Sequence, residues 1–136
     1  MTRVRRFGCR AESVPAARRF VRDVLGERSR ELLDAVELMA SELATNCVHH
    51  AQTCFDLIIE DGQSQIRVEV RDTGQGRPEP RSPAPTDRTG RGLRIVEAMA
   101  DAWGVDLSSS GKTVWFTVPH NVGSPAHAPS SDSTVR

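Results

Sequence analysis

The sequence predicts an α+β fold, a two-layer α/β sandwich with helices on one face of a mixed, largely antiparallel sheet. Three observations carry that expectation. Apolar residues recur at helical spacing up to about residue 51; two segments after residue 54 switch to strand character around a turn; then a further helix and a second hairpin follow.

Each element has a local reason. VRRFGC, residues 4–9, reads as a short edge strand. Ser13 followed by Pro15 marks a helix start, with the hydroxyl available to cap open N–H groups. PAARRFVRDVLG then places Ala16, Phe20 and Val24 at helical spacing and stops at Gly26. A longer helix is predicted from about Ser29 to Ala51, with Leu32, Val36, Met39, Leu43 and Cys47 as one buried stripe. FDLIIED and QIRVEVRD read as an antiparallel hairpin turning at Asp61 and Gly62. In the second strand Ile66, Val68 and Val70 alternate with Arg67, Glu69 and Arg71, giving one dry and one wet face. Residues 73–92 have no apolar period and are rich in Gly, Pro, Thr and Arg; such loops in compact domains are functional or disordered. A third helix from about Leu93 to Ala102 presents Leu93, Val96, Met99 and Ala100 on one face. GVDLSS and KTVWFTV form a second hairpin across Ser110 and Gly111. After Pro119 the chain is polar and Pro/Ser-rich, so a folded unit over 1–119 and a disordered tail over 120–136 are expected.

Composition narrows the function classes. The 136 residues suit one domain with a modest core, and there is no internal repeat. Eighteen basic residues balance 18 acidic ones, so no overall charge directs the chain to nucleic acid or to a membrane. No run approaches the ~18 apolar residues of a membrane span. The basic N-terminus, MTRVRRFGCR, lacks the apolar run of a secretory signal. Three cysteines, Cys9, Cys47 and Cys54, are odd in number and lack paired metal spacing, which suits a reducing cytoplasm.

Three short motifs could carry chemistry. In SELATNCVHHA, residues 41–51, Glu42 and Asn46 leave the same helical face one turn apart, and His50 extends the line while His49 points to its other side. A carboxylate can take a proton from a nucleophile, and an amide oxygen is a hard ligand for Mg²⁺; a polar seam beside the core stripe describes the same residues. DTGQG, residues 72–76, puts the acceptor Asp72 at a strand end, with Gly74 and Gly76 permitting close backbone approaches. It equally describes an Asp-initiated turn. TGRGLRIVEAMAD, residues 89–101, sets Gly90 and Gly92 before a helix whose free N–H groups could bind phosphate, with Arg88, Arg91 and Arg94 nearby. A Gly-rich helix entry with solvated arginines fits it too. The order of the motifs is more telling than any one of them, because it could hold a nucleotide with its base near Asp72 and its phosphates at Gly90–Gly92, Mg²⁺ bridging to Asn46.

At these residues the chain resembles the GHKL superfamily of ATPases, and in particular its small stand-alone branch of bacterial anti-sigma-factor serine/threonine kinases, over about Ser13 to Val118. SELATNCVHH follows the family pattern E-L-x-x-N-A-x-x-H with Cys47 where Ala is usual. The resemblance implies a Bergerat-type ATP-binding fold, a histidine-kinase-like ATPase domain over 1–119. It implies that Glu42 is the general base, that Asn46 holds Mg²⁺ and that Asp72 binds the adenine amine. Gly74, Gly76, the lid glycines Gly90 and Gly92, and Leu93 after them would contact ATP. The family histidine aligns with His50, leaving His49 without a role. Thr113 is the nearest match to a threonine that helps hold adenine, although Lys112 occupies the usual place. The loop from Arg77 to Thr89 is short and proline-rich for a lid.

The resemblance further implies a cytoplasmic kinase that phosphorylates an anti-sigma-factor antagonist and sequesters a sigma factor. About forty residues precede Glu42, too few for the dimerising phosphoacceptor helices of sensor histidine kinases, and gyrase-like or chaperone members are far longer. A helix bearing Arg18, Arg19 and Arg22 is a candidate docking surface, and VRRFGC a candidate edge for a homodimer; neither direct nucleic-acid binding nor membrane binding is expected. Two other readings compete. One is a nucleotide-dependent interaction regulator without kinase activity. The other is a metal site from Cys47, His49, His50 and Cys54, for which the spacing predicts no tidy tetrahedron.

Overall fold

The computed structural model describes residues 1–72, 87–109 and 111–120. Gly74, Gly76, most of the 77–89 loop and the tail beyond 120 therefore lie outside the described residues. In chain order the elements are β1 (Thr2–Phe7), α1 (Ser13–Leu25), α2 (Arg30–Thr45) with a π-helical turn (Asn46–Ala51), β2 (Phe55–Asp61), β3 (Gln65–Asp72), α3 (Asp87–Met99), β4 (Ala102–Ser108) and β5 (Gly111–Pro119).

The five strands lie in the order β1-β2-β3-β5-β4. All four pairings are antiparallel, so the largely antiparallel sheet expected has no parallel pair among the described residues. Because β5 opposes both β3 and β4, those two run in the same direction on either side of it, and α3 makes the connection between them. Alternation along the strands sends Phe55, Leu57, Ile59, Ile66, Val68, Val70, Val114, Phe116 and Val118 to one face. There they form one core with Ala17, Phe20, Val21 and Leu25 of α1, Leu32, Val36, Met39 and Leu43 of α2, and Val96 of α3. The helices thus cover one face of the sheet, as the two-layer expectation requires. No helix among the described residues is long and apolar enough to cross a membrane.

Several local expectations shift. β1 starts at Thr2 instead of Val4 and ends at Phe7, whose ring stacks on Phe55 at 5.3 Å and meets Phe20 edge-on at 6.2 Å. Ser13 does not cap α1. It is the first helical residue, and its hydroxyl donates instead to the Gly8 carbonyl at 2.6 Å, tying the helix back to the end of β1. The buried stripe of α1 runs through Ala17, Phe20, Val21 and Leu25, with Ala16 and Val24 on its flanks. Ser29 does cap α2, accepting from the Leu32 N–H at 3.2 Å, and all five residues predicted for the α2 stripe are buried. Asp61 is still strand: it pairs with Ile66, ion-pairs with Arg28 from the α1–α2 connection, and lies 3.3 Å from His120 Nε2. Ala102 begins β4 instead of ending α3.

Candidate functional site

The site is built where α2 passes over the middle of the sheet and α3 closes against it. Glu42 and Asn46 do share one face of α2, both half-buried. The Asn46 N–H is bonded back to the carbonyls of Glu42 and Leu43, which holds this turn firmly. Asn46 is also the residue at which α-helical winding gives way to a π-helical turn. A π turn takes more residues per revolution, and single π turns occur frequently at functional sites. It closes at Gln52, whose left-handed backbone (φ 57°) is uncommon for a residue other than glycine. The N–H groups of Gln52 and Thr53 both reach the Cys47 carbonyl. The polar line expected to run on to His50 is turned by this change of winding, and His49 and His50 are both exposed.

α3 meets that turn through Gly92. A Cβ placed on Gly92 would stand 2.8 Å from Asn46 Nδ2 and 3.6 Å from the Glu42 carbonyl oxygen, so only glycine fits without displacing Asn46. Gly90 and Gly92 do not precede the helix, as the sequence suggested, but lie inside it, because α3 begins at Asp87. The open N–H groups of α3 belong to its first turn, upstream of Gly92. Leu93, next in line, packs partly buried against the core.

Asp72 is the last residue of β3 and is buried on the helix-facing side. The backbone N–H of Lys112 donates to its Oδ1 at 3.2 Å across the β3–β5 ladder. Thr113 is not brought to Asp72: it pairs with Arg71 and Asp106 and so points to the opposite, helix-free face of the sheet. Lys112, not Thr113, is the β5 residue that reaches Asp72. Cys47, directly after Asn46, connects the two halves of the site. Burial, and after it the charge of Asp72, pushes its thiol up to about 12, while Lys112 acts the other way.

The donor set is one of hard oxygens, a carboxylate at Glu42 and the side-chain amide of Asn46, which lies against Gly92. Such oxygens suit Mg²⁺ shared with substrate phosphates better than a self-contained metal cage. Among the described residues no group of three or more His, Cys, Asp or Glu could hold a metal ion. Cys47 is buried while His49, His50 and Cys54 are exposed, so the alternative metal site does not converge.

The layered architecture is that of an α+β sandwich with its helices on one face of an antiparallel sheet. The sequence profile of the histidine kinase-like ATPase domain matches residues 7–118, and the chain belongs to that family. No curated protein matches the chain. A solved structure with the same fold is that of the RsbU and RsbW domains of Rv1364c from Mycobacterium tuberculosis, at TM-score 0.67 and 17% identity. The match covers 87% of this chain but 31% of that longer one. Family membership makes ATP the expected ligand.

Proposed function

We propose that the protein is an ATP-binding serine/threonine protein kinase of the anti-sigma-factor type, acting in the cytoplasm on an anti-sigma-factor antagonist and sequestering a sigma factor. The observation that carries this reading is the seating of Gly92 on the Glu42–Asn46 turn. It brings the Asn46 amide and the Glu42 backbone against the body of α3, with Asp72 at the end of β3 in the sheet below. When bound, ATP supplies the phosphoryl group and Mg²⁺ neutralises its charge. The chain's own part is positioning, which accounts for most of the rate in such transfers. Glu42 takes the proton from the acceptor hydroxyl. Asn46 would offer its amide oxygen to the cation. Asp72, steadied by the Lys112 N–H, accepts a hydrogen bond from the amine of the base.

The deciding experiment pairs calorimetry with label transfer. Wild type should bind ATP–Mg²⁺, and transfer labelled phosphate to an antagonist protein; Glu42→Ala should abolish the transfer while still binding nucleotide. No binding at millimolar ATP would defeat the reading. Binding with no transfer to any candidate would favour the interaction regulator without kinase activity.

A further inference from the structure

The balanced charge of the chain hides an uneven distribution. Nine of the 18 basic residues lie in the first 30 positions, against three acidic ones. Three of these arginines find acidic partners elsewhere in the fold: Arg6 on Asp56, Arg22 on Glu37 and Arg28 on Asp61. Arg3 and Arg5 have no ion pair among the described residues, and both are exposed on β1. Arg5 is held over the rings of Phe7 and Phe20, at 5.7 and 5.8 Å, which orders its guanidinium group.

β1 is also an edge. Among the described residues it pairs with β2 alone, so its outer row of N–H and C=O groups faces outward. Alternation puts Arg3 and Arg5 on the helix side of that edge and Val4, 59% exposed, between them on the other. An edge with these side chains selects its partner by charge.

We propose that β1 is a docking edge for an extended acidic segment of a partner protein, which adds to the sheet as a sixth strand. Main-chain hydrogen bonds to Thr2–Phe7 supply the attachment, and the side chains supply the selection. The segment reads acidic–apolar–acidic, with carboxylates opposite Arg3 and Arg5 and the apolar residue opposite Val4. A second copy of this chain fits poorly. Every antiparallel register that overlaps most of β1 with itself, and keeps the helices on one side, sets Arg3 or Arg5 opposite another arginine. Like charges directly opposed destabilise a strand pair. The homodimer expected through this edge is therefore disfavoured by the same residues that suit an acidic strand.

The test uses the full chain and a capped peptide of alternating glutamate and valine, with a block-sequence peptide of the same composition as control. The alternating peptide should shift and protect the backbone amides of Thr2–Phe7 in NMR and exchange measurements. Arg3→Glu, which leaves the Arg5 stack intact, should weaken it about tenfold, as should raised salt. A thermal melt confirms that the variant is folded. ATP titrations are expected to be unchanged, so this result stands apart from the nucleotide reading. Equal binding of the control peptide, retained affinity in Arg3→Glu, or no binding at all would overturn the proposal. So would peptide-free self-association that protects the same amides, or binding of duplex DNA or anionic vesicles in place of the peptide.

Discussion

Gly92 of α3 and Asn46, the first residue of the π turn after α2, stand so close that a methyl group on Gly92 would meet the amide, 2.8 Å separating its position from Asn46 Nδ2. The close approach of α3 thus falls on the residue proposed for the cation. A glycine inside a helix costs about 1 kcal/mol relative to alanine. Its presence here reflects the contact and not the helix.

Gly92→Ala should therefore not stabilise the protein as a glycine-to-alanine change in an open helix would. The helix gain is offset by displacement of the Asn46 side chain, whose amide the new methyl group would meet. No rise in melting temperature is expected, with ATP affinity reduced about tenfold as Asn46 is displaced. A stabilised variant with full affinity would show that α3 does not constrain Asn46.

Asp72→Asn keeps an oxygen to accept from the Lys112 N–H, so the β3–β5 ladder should survive with little change in melting temperature. The charge that would strengthen the proposed bond to the base is lost, and charge-assisted hydrogen bonds contribute about 1.5–3 kcal/mol. ATP should bind about tenfold or more weakly by calorimetry. Unchanged affinity would remove Asp72 from the base site.

Cys47 gives a pH signature. Its thiol is pushed from 9.0 up to about 12, by burial first and Asp72 second. A raised folded-state value stabilises the fold below pH 9 and loses that contribution as pH climbs toward 12. The slope is at most about 1.4 kcal/mol per pH unit. Urea unfolding between pH 8 and 10.5 should show a steeper loss for wild type than for Cys47→Ala. In the native state alkylation should reach exposed Cys9 and Cys54 and spare Cys47.

On the helix-free face, Trp115 lies flat against Gly104, where a Cβ would come within 2.7 Å of the indole. Arg67 stacks over that ring at 4.3 Å. Gly104→Ala should shift the tryptophan emission and near-ultraviolet circular dichroism while ATP binding stays as in wild type. A loss of ATP affinity would mean that the two faces of the sheet are coupled.

What could be read from the residues in advance follows from how local each cause is. Burial alone dictates the Leu32–Cys47 stripe of α2 and the alternation of Ile66, Val68 and Val70, and both are visible as periods. The start of α3 was missed because Gly90 and Gly92 look like helix breakers until Asn46 is seen against one of them. The resemblance offers Thr113 for the base, with Lys112 in the usual place; which of the two faces the helices depends on the register between β3 and β5, strands separated by a helix and another strand, and a motif match does not carry it. Lys112 holds Asp72 through its backbone N–H, which no side-chain motif records. The π turn after Asn46 had no sequence signal beyond the absence of a glycine at its end, where Gln52 takes the left-handed conformation.

The β1–β2 ladder has a consequence for how the chain reaches this state. Arg6 and Asp56 are 50 positions apart, so the ladder closes only after a long stretch has been organised, and such pairings form slowly. Until then β2, with Phe55, Leu57, Ile58 and Ile59 in one run, is an apolar edge open to neighbouring chains during synthesis. A chain lacking residues 1–7 should scatter light on refolding at concentrations where the intact one stays clear. β1 then acts as a late-arriving charged sleeve drawn over a sticky border.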